Sequence, residues 1–379
     1  MPASRPQLKA LTGLRYFAAL AVLLFHYGRV AHLPWLFFSF GRQAVSLFFI
    51  LSGLVLTYAY HETLVSRSIN WKGFMNRRLA RIMPLHVVSF LFATYVYWNL
   101  EPRSTAVISW LANFFCLQIY WPAASIALHW NAPSWSISCE LFFYAFFPLL
   151  FIWLNSARKL ISVIVAAYAV EALLYIAAAA CISHGLHAHG SIMGFRNVDN
   201  AFTNILPLVP VIRLGEFVIG ICLGLLIVHR RANLFRDSRA LRDAAVVVAL
   251  VGAVVLQRTH LAKWGAIVLH SGDYLLYVPL FALLILALAS GRTILSAILE
   301  NSVIVLLGEA SYSLYLLHYP LGEVLLGSRS PWQYFIAFVC ANLLAIASFW
   351  YVERPLMALW RGRMRRPPVA QTALEQSQF

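Results

Sequence analysis

Ten times along this chain a run of roughly 17–25 residues passes with almost no charge, and that is the length a helix needs to cross a hydrocarbon layer about 30 Å thick. The runs lie near residues 12–30, 43–61, 82–100, 134–154, 160–183, 205–228, 243–257, 273–290, 302–325 and 332–353, the seventh being a little short. In hydrocarbon every backbone donor and acceptor must be satisfied within the protein, so each run is expected to close its own hydrogen bonds as a helix. Composition agrees. A chain of 379 residues that is 61% hydrophobic and 11% charged has too little polar surface to cover a soluble globule. The expected fold class is an all-α integral membrane protein, a bundle of about ten transmembrane helices.

Charge placement orients the bundle. With both termini cytoplasmic, the inner segments hold 20 of the 29 Lys and Arg residues, Arg15 and Arg213 lie inside spans, and 7 remain outside. This asymmetry is what the positive-inside rule requires. The stretch near 104–122 is aromatic at one end and flanked by prolines. Read as an eleventh span it would invert every later loop, so it is expected to lie along the interface. The first run follows Arg5 and Lys9 as a signal peptide would, but it is long and lacks a small-residue cleavage site, so it reads as a retained span. Residues 1–366 therefore form one membrane domain, with 367–379 as a disordered cytoplasmic tail. The net charge of +15 is scattered over loops between apolar spans, which points to topology and anionic lipid contact rather than nucleic acid. Five cysteines without ligand spacing, and the trio His184, His187 and His189 without a neighbouring carboxylate or thiol, imply no metal. The setting is a bacterial plasma (inner) membrane.

Ionisable groups inside such spans are costly and mark sites. Arg15 and His26 share the first span. Eleven positions at about 100° each bring them to one face, about 16 Å apart along the axis. Before the third span, Arg77, Arg78 and Arg81 fall at helical spacing beside Pro84, read as a first-turn proline. They either mark the cytoplasmic side or form a phosphate site, since guanidinium forks match phosphate oxygens. Glu140 is buried in the fourth span, in a functional role or in an ion pair, with Asn131, Ser136 and Ser138 nearby as hydrogen-bond donors. Arg213 and Glu216 read as a self-neutralising structural pair. In the ninth span Ser311, Tyr312, Tyr315 and His318 make a polar stripe that either seals helices or lines a cavity. Glu353, Arg354 and Pro355 are read as the end of the last span.

Taken in order, Arg15 and His26 with ten residues between them, GRQAVSLFFILSGLVLTY, FMNRRLARIMPLH, PSWSISCELFFYAFFPLL, RLGEFVIGICLG, SYSLYLLHYPL and VERPL resemble the membrane acyltransferase 3 family from about residue 7 to 356. The resemblance implies a standalone O-acyltransferase without a fused hydrolase-like domain. Such an enzyme moves an acyl group, most often acetyl, from cytoplasmic acyl-CoA to a hydroxyl of a carbohydrate or another envelope-associated or secreted acceptor. It places the family's essential Arg and His on Arg15 and His26, its arginine motif on Arg78 and Arg81, and its acidic residue on Glu140. His26 is then the general base. Arg15 orients the donor, Arg77, Arg78 and Arg81 hold CoA phosphates, and Glu140 fixes the imidazole tautomer or binds the acceptor. Ser136, Asn131, Tyr315 and His318 contact substrate. The residues alone also allow a proton-coupled secondary transporter of an anionic solute, with Arg15, His26 and Glu140 as its binding site.

Overall fold

The computed structural model describes residues 8–31, 40–98, 103–120, 124–189, 206–259, 270–327 and 330–365. The apolar runs fold as helices: α1 Lys9–Ala31, α2 Gly41–Val65, α3 Trp71–Tyr97, α5 Trp135–Asn155, α6 Leu160–His189, α7 Pro210–Val228, α8 Arg239–Arg258, α9 Val278–Ser290 and α12 Pro331–Ser348. Between α3 and α5 lies α4, Arg103–Phe114. Its 12 residues reach about 18 Å at 1.5 Å per residue, too short to cross. Among the described residues, nine helical segments are long and apolar enough to span a membrane. The chain is an all-helical multi-pass membrane protein. The expected tail 367–379 and the side chains of His187 and His189 lie outside the described residues.

Two differences from the expected spans affect the site. The ninth run, 302–325, is two helices laid end to end, α10 Ser302–Glu309 and α11 Ser311–Leu325. They join at Ala310, whose ψ of −1° closes one and opens the other. Next to the join, Gly308 presses onto α1 so closely that a Cβ there would lie 2.0 Å from the Thr12 carbonyl oxygen. Hydropathy sees an unbroken apolar stretch, whereas the axis breaks where α1 has to pass. The third run begins earlier than its apolar residues do. Asn70 caps α3 by accepting from the Gly73 amide at 2.8 Å, so the whole arginine cluster is helical. Pro84 therefore sits inside the helix, not in its first turn, and leaves the Ala80 carbonyl without its helical donor.

The bundle is tightest where α2 crosses α7. A Cβ on Gly220 would lie 2.1 Å from the Ile50 carbonyl oxygen, and one on Gly53 2.2 Å from that of Phe217. Two hydrogens in place of side chains let the backbones touch, the usual device where lipid gives no hydrophobic drive to associate. Around this crossing pack Phe49, Phe143, Phe147 and Phe217, all fully buried. α1 runs beside this core against α2, α10 and α11, while α6 and α8 carry their valines and leucines outward. The last helix, α12, passes through a π-helical turn, Phe349–Glu353, into α13, Arg354–Arg365.

Candidate active site

A cavity of about 120 Å³ opens between α1, α2, α3, α5 and α11. Arg15, Arg78 and Arg81 line it with Glu140, and Ser52, Ser136, Ser311, Tyr144, Tyr312 and Tyr315 add hydroxyls. Apolar walls come mainly from α2, through Val45, Phe48, Phe49 and Val55. The second turn of α1 supplies Arg15, the third turn of α3 supplies Arg78 and Arg81, and the second turn of α5 supplies Glu140. Arg15, Arg78, Arg81 and Glu140, all expected at the site, thus come together from helices far apart in sequence.

The three guanidinium groups differ in what they are tied to. Arg81 forms an ion pair with Glu353, which the π-helical turn carries inward and which is 2% exposed. The Ser313 hydroxyl donates to the other oxygen of Glu353 at 3.0 Å. Arg78 donates to the Tyr60 hydroxyl at 2.9 Å and lies over that ring, while its Nε is buried without an acceptor. Arg15 has no ion pair or side-chain hydrogen bond to any described residue. Glu140 accepts from Tyr144 at 2.9 Å, and Ser52 lies 3.3 Å from the same hydroxyl. The buried hydroxyl of Ser311 has no partner either. Three cations thus face one carboxylate on the cavity wall, with a second behind Arg81. Unpaired charge is expensive in a membrane interior, so a lining of this kind is chemically suited to an anion.

His26 and His318 stand beyond the cavity, toward the other ends of α1 and α11. Their ring centroids are 5.0 Å apart, and Nε2 of His318 lies 3.1 Å from Nδ1 of His26. Nδ1 of His26 also lies 2.9 Å from the Val22 carbonyl oxygen. Tyr315 belongs to both regions. It lines the cavity, packs on Phe48 with centroids 5.6 Å apart, and meets the His318 ring at 6.3 Å. Its hydroxyl donates to the Pro133 carbonyl at 3.1 Å and accepts from Ser136 at 2.9 Å, which fastens α11 to the start of α5.

The remaining expected residues sort plainly. Ser136 and Tyr315 line the cavity. Asn131 does not; it is buried and donates to the Leu316 carbonyl at 3.0 Å, tying its loop to α11. Arg77 is exposed and is not a lining residue, being about 100° around α3 from Arg78. His318 lies against His26 rather than in the cavity, while Glu140 accepts from Tyr144. Cys139 is fully buried, with its thiol 3.4 Å from the Leu208 carbonyl, and does not line the cavity. Arg213 and Glu216 pair at 3.1 Å, and Arg213 also donates to Ser46 and lies 3.8 Å over the Tyr274 ring, a structural knot between α2 and α7. Glu353 is the residue sequence reasoning missed as part of the site. Its own signal, a carboxylate just before Arg354 and Pro355, reads equally well as a helix end.

These features define a class: a multi-pass membrane protein whose helices enclose an arginine-lined, anion-attracting chamber beside a histidine pair. A family described as an acyltransferase domain matches residues 8–354. The chain belongs to this acyltransferase 3 family, and it is an acyltransferase. Acyltransferase MdmB from Streptomyces mycarofaciens is 30% identical over 98% of this chain and 96% of its own length. O-acetyltransferase OatA from Staphylococcus aureus is 25% identical over 92% of this chain and 57% of its own. Peptidoglycan O-acetyltransferase OatA from Listeria monocytogenes is 22% identical, over 93% and 56%. The chain thus spans a little over half the length of the OatA proteins. No solved structure matches.

Proposed function

We propose that the protein is an O-acyltransferase that takes an acyl group, most often acetyl, from acyl-CoA on the cytoplasmic side and passes it to a hydroxyl of a carbohydrate or another envelope-associated or secreted acceptor. The observation that carries this reading is the surplus of cations in the cavity, above all Arg15, which has no ion pair or side-chain hydrogen bond among the described residues. A thioester donor with phosphate groups is the anion that such a chamber suits. Arg78 and Arg81 bind its phosphates, each guanidinium offering paired donors. Arg15 and the Ser311 hydroxyl, on the same cavity wall, hold the donor's arm. Both termini are cytoplasmic in this reading, and the membrane is a bacterial inner membrane. The O-acetyltransferase and peptidoglycan O-acetyltransferase names of the OatA relatives support an acetyl group and a polymer-borne hydroxyl, and the name of MdmB, which matches nearly end to end, supports acyl transfer.

Chemistry falls to His26. A sugar hydroxyl is a weak nucleophile, and a neutral imidazole within reach takes its proton as the oxygen attacks the acyl carbon. The carbon–sulfur bond then breaks, and the thiolate leaves with the electron pair and recovers the proton from the imidazolium. An acyl-histidine intermediate is the other route open to the same side chain.

The test uses purified protein in lipid nanodiscs, with acetyl-CoA and a mixture of methyl glucoside, methyl galactoside and N-acetylglucosamine as acceptors. Thiol release that depends on acceptor is expected. His26→Ala should lower it by about 100-fold or more, the usual contribution of a positioned general base. Substantial activity in a folded His26→Ala protein removes that residue from the role. Combining Arg78→Ala with Arg81→Ala should weaken acetyl-CoA binding at least tenfold, and unchanged affinity would move the phosphate site elsewhere.

A further inference from the structure

His318 is the fully buried member of the histidine pair, and its hydrogen bonds fix more than its own position. Its Nδ1 lies 3.0 Å from the Leu314 carbonyl oxygen, one turn back along α11. A carbonyl only accepts, so in the neutral ring Nδ1 carries the proton and Nε2 keeps its lone pair. That lone pair is 3.1 Å from Nδ1 of His26. On its other side, Nδ1 of His26 lies 2.9 Å from the Val22 carbonyl oxygen, which is also in position to accept the helix's own bond from the His26 amide. Two acceptors thus converge on one nitrogen. If that nitrogen bore a lone pair, three lone pairs would face one another in a dry interior. The arrangement is satisfied only when Nδ1 of His26 bears the hydrogen and shares it between them.

With Nδ1 occupied in this way, Nε2 is the ring nitrogen of His26 that can receive a proton. We propose that His318 is a positioning residue for acyl transfer, holding His26 in the Nδ1–H tautomer and stabilising its imidazolium form through the same hydrogen bond. The proposal rests on the reading of His26 as the base. In the reaction the acceptor's O–H bond breaks and its proton goes to Nε2 of His26, while the oxygen's electron pair forms the bond to the acyl carbon. The carbon–sulfur pair leaves with sulfur, which takes the proton back. His318 gains and loses no atom. It accepts a hydrogen bond that strengthens while its neighbour is charged.

The surroundings make this a fixed arrangement. The Tyr27 hydroxyl, one residue beyond His26, donates to the His318 carbonyl at 2.6 Å. One turn further along α11, Gly322 gives the Tyr27 ring its place, since a Cβ there would lie 2.6 Å from Cε1. The rings of Phe25 and Tyr319 pack on His26 at 5.2 Å, and those of Tyr27 and Tyr315 on His318 at 6.1 and 6.3 Å. In a Ser–His–Asp triad an aspartate orients the histidine through Nδ1. Here the imidazole of His318 meets Nδ1 of His26 in the corresponding place.

The experiment compares variants of the purified full chain in nanodiscs, with acetyl-CoA and the three-sugar mixture as probes. His318→Leu removes the acceptor, and kcat should fall about 100-fold while KM for acetyl-CoA stays within twofold. Glutamine can present its side-chain oxygen where Nε2 stood, so His318→Gln should recover at least tenfold of that loss. Wild-type kcat in His318→Leu, or a change confined to KM, overturns the proposal, as does a folded His318→Gln no faster than the leucine variant. Where the leucine variant does not fold, His318→Phe keeps the ring's bulk and takes its place. If His318→Gln is the one folded variant, kcat within tenfold of wild type supports the proposal and a larger loss overturns it. His26→Ala separates the two readings. If it remains active, the base assignment itself falls; if it is inactive while His318→Leu is fully active, only the role of His318 falls.

Discussion

Arg81 shows how much one side chain in this protein depends on a distant one. Its partner Glu353 is nearly at the other end of the chain, is 2% exposed, and is held from behind by Ser313. Removing one member of a buried pair leaves the other charge without compensation, at a cost of roughly 3 kcal/mol. Glu353→Gln should therefore lower the thermal midpoint of the purified protein by several degrees and raise KM for acetyl-CoA, because Arg81 is no longer aimed into the cavity. An unchanged midpoint with an unchanged KM would show the pair to be incidental. Nothing local in the sequence announces this contact. Arg15 and His26 were legible because helical periodicity puts them on one face, and Glu140 because a carboxylate in an apolar run stands out. The partners of Arg81 and His26 were not legible, because Glu353 and His318 reach them through packing between helices. His318 was visible as part of a polar stripe, but its neighbour across the helix interface was not.

At the level of helices, hydropathy located the spans and misjudged their interruptions. The run 302–325 is largely apolar, and its break at Ala310 falls beside the close approach of α1 at Gly308. Beyond the break, α11 places Ser311, Tyr312 and Tyr315 on the cavity wall. Similarly, α3 begins at an asparagine cap inside a polar loop that a hydropathy window passes over, which is how the arginines become helical and Pro84 becomes internal. The α2–α7 crossing offers a direct test of close packing. In Gly220→Ala the new methyl would overlap the Ile50 carbonyl, and backbone cannot swing aside as a side chain can. Overpacking of this kind costs about 1–3 kcal/mol. A lower thermal midpoint is expected, together with weaker activity because α2 also forms the apolar wall of the cavity. A variant as stable as the parent would mean the two helices can separate at little cost.

Across the whole molecule, the chamber and the histidine pair lie at different depths along the same helices. Arg15, Arg78 and Arg81 share a level with Glu353, while His26 and His318 lie two to three turns further along α1 and α11. If the positive-inside distribution sets orientation, the arginines face the cytoplasm. In a background with the native cysteines replaced, Ser68→Cys between α2 and α3 should react with a membrane-impermeant thiol reagent only in inverted vesicles, and Ser330→Cys before α12 only in right-side-out ones. The reverse pattern would turn the donor side of the enzyme around.

Between those depths stands Tyr315, latched to Ser136 and Pro133 and wedged between Phe48 and His318. On the proposed reading an acyl group passes from the chamber toward the histidine pair, and a passage of that kind risks becoming a leak. Tyr315 packs its ring between the two, so on that reading it is the side chain that would interrupt a continuous column of water along the passage.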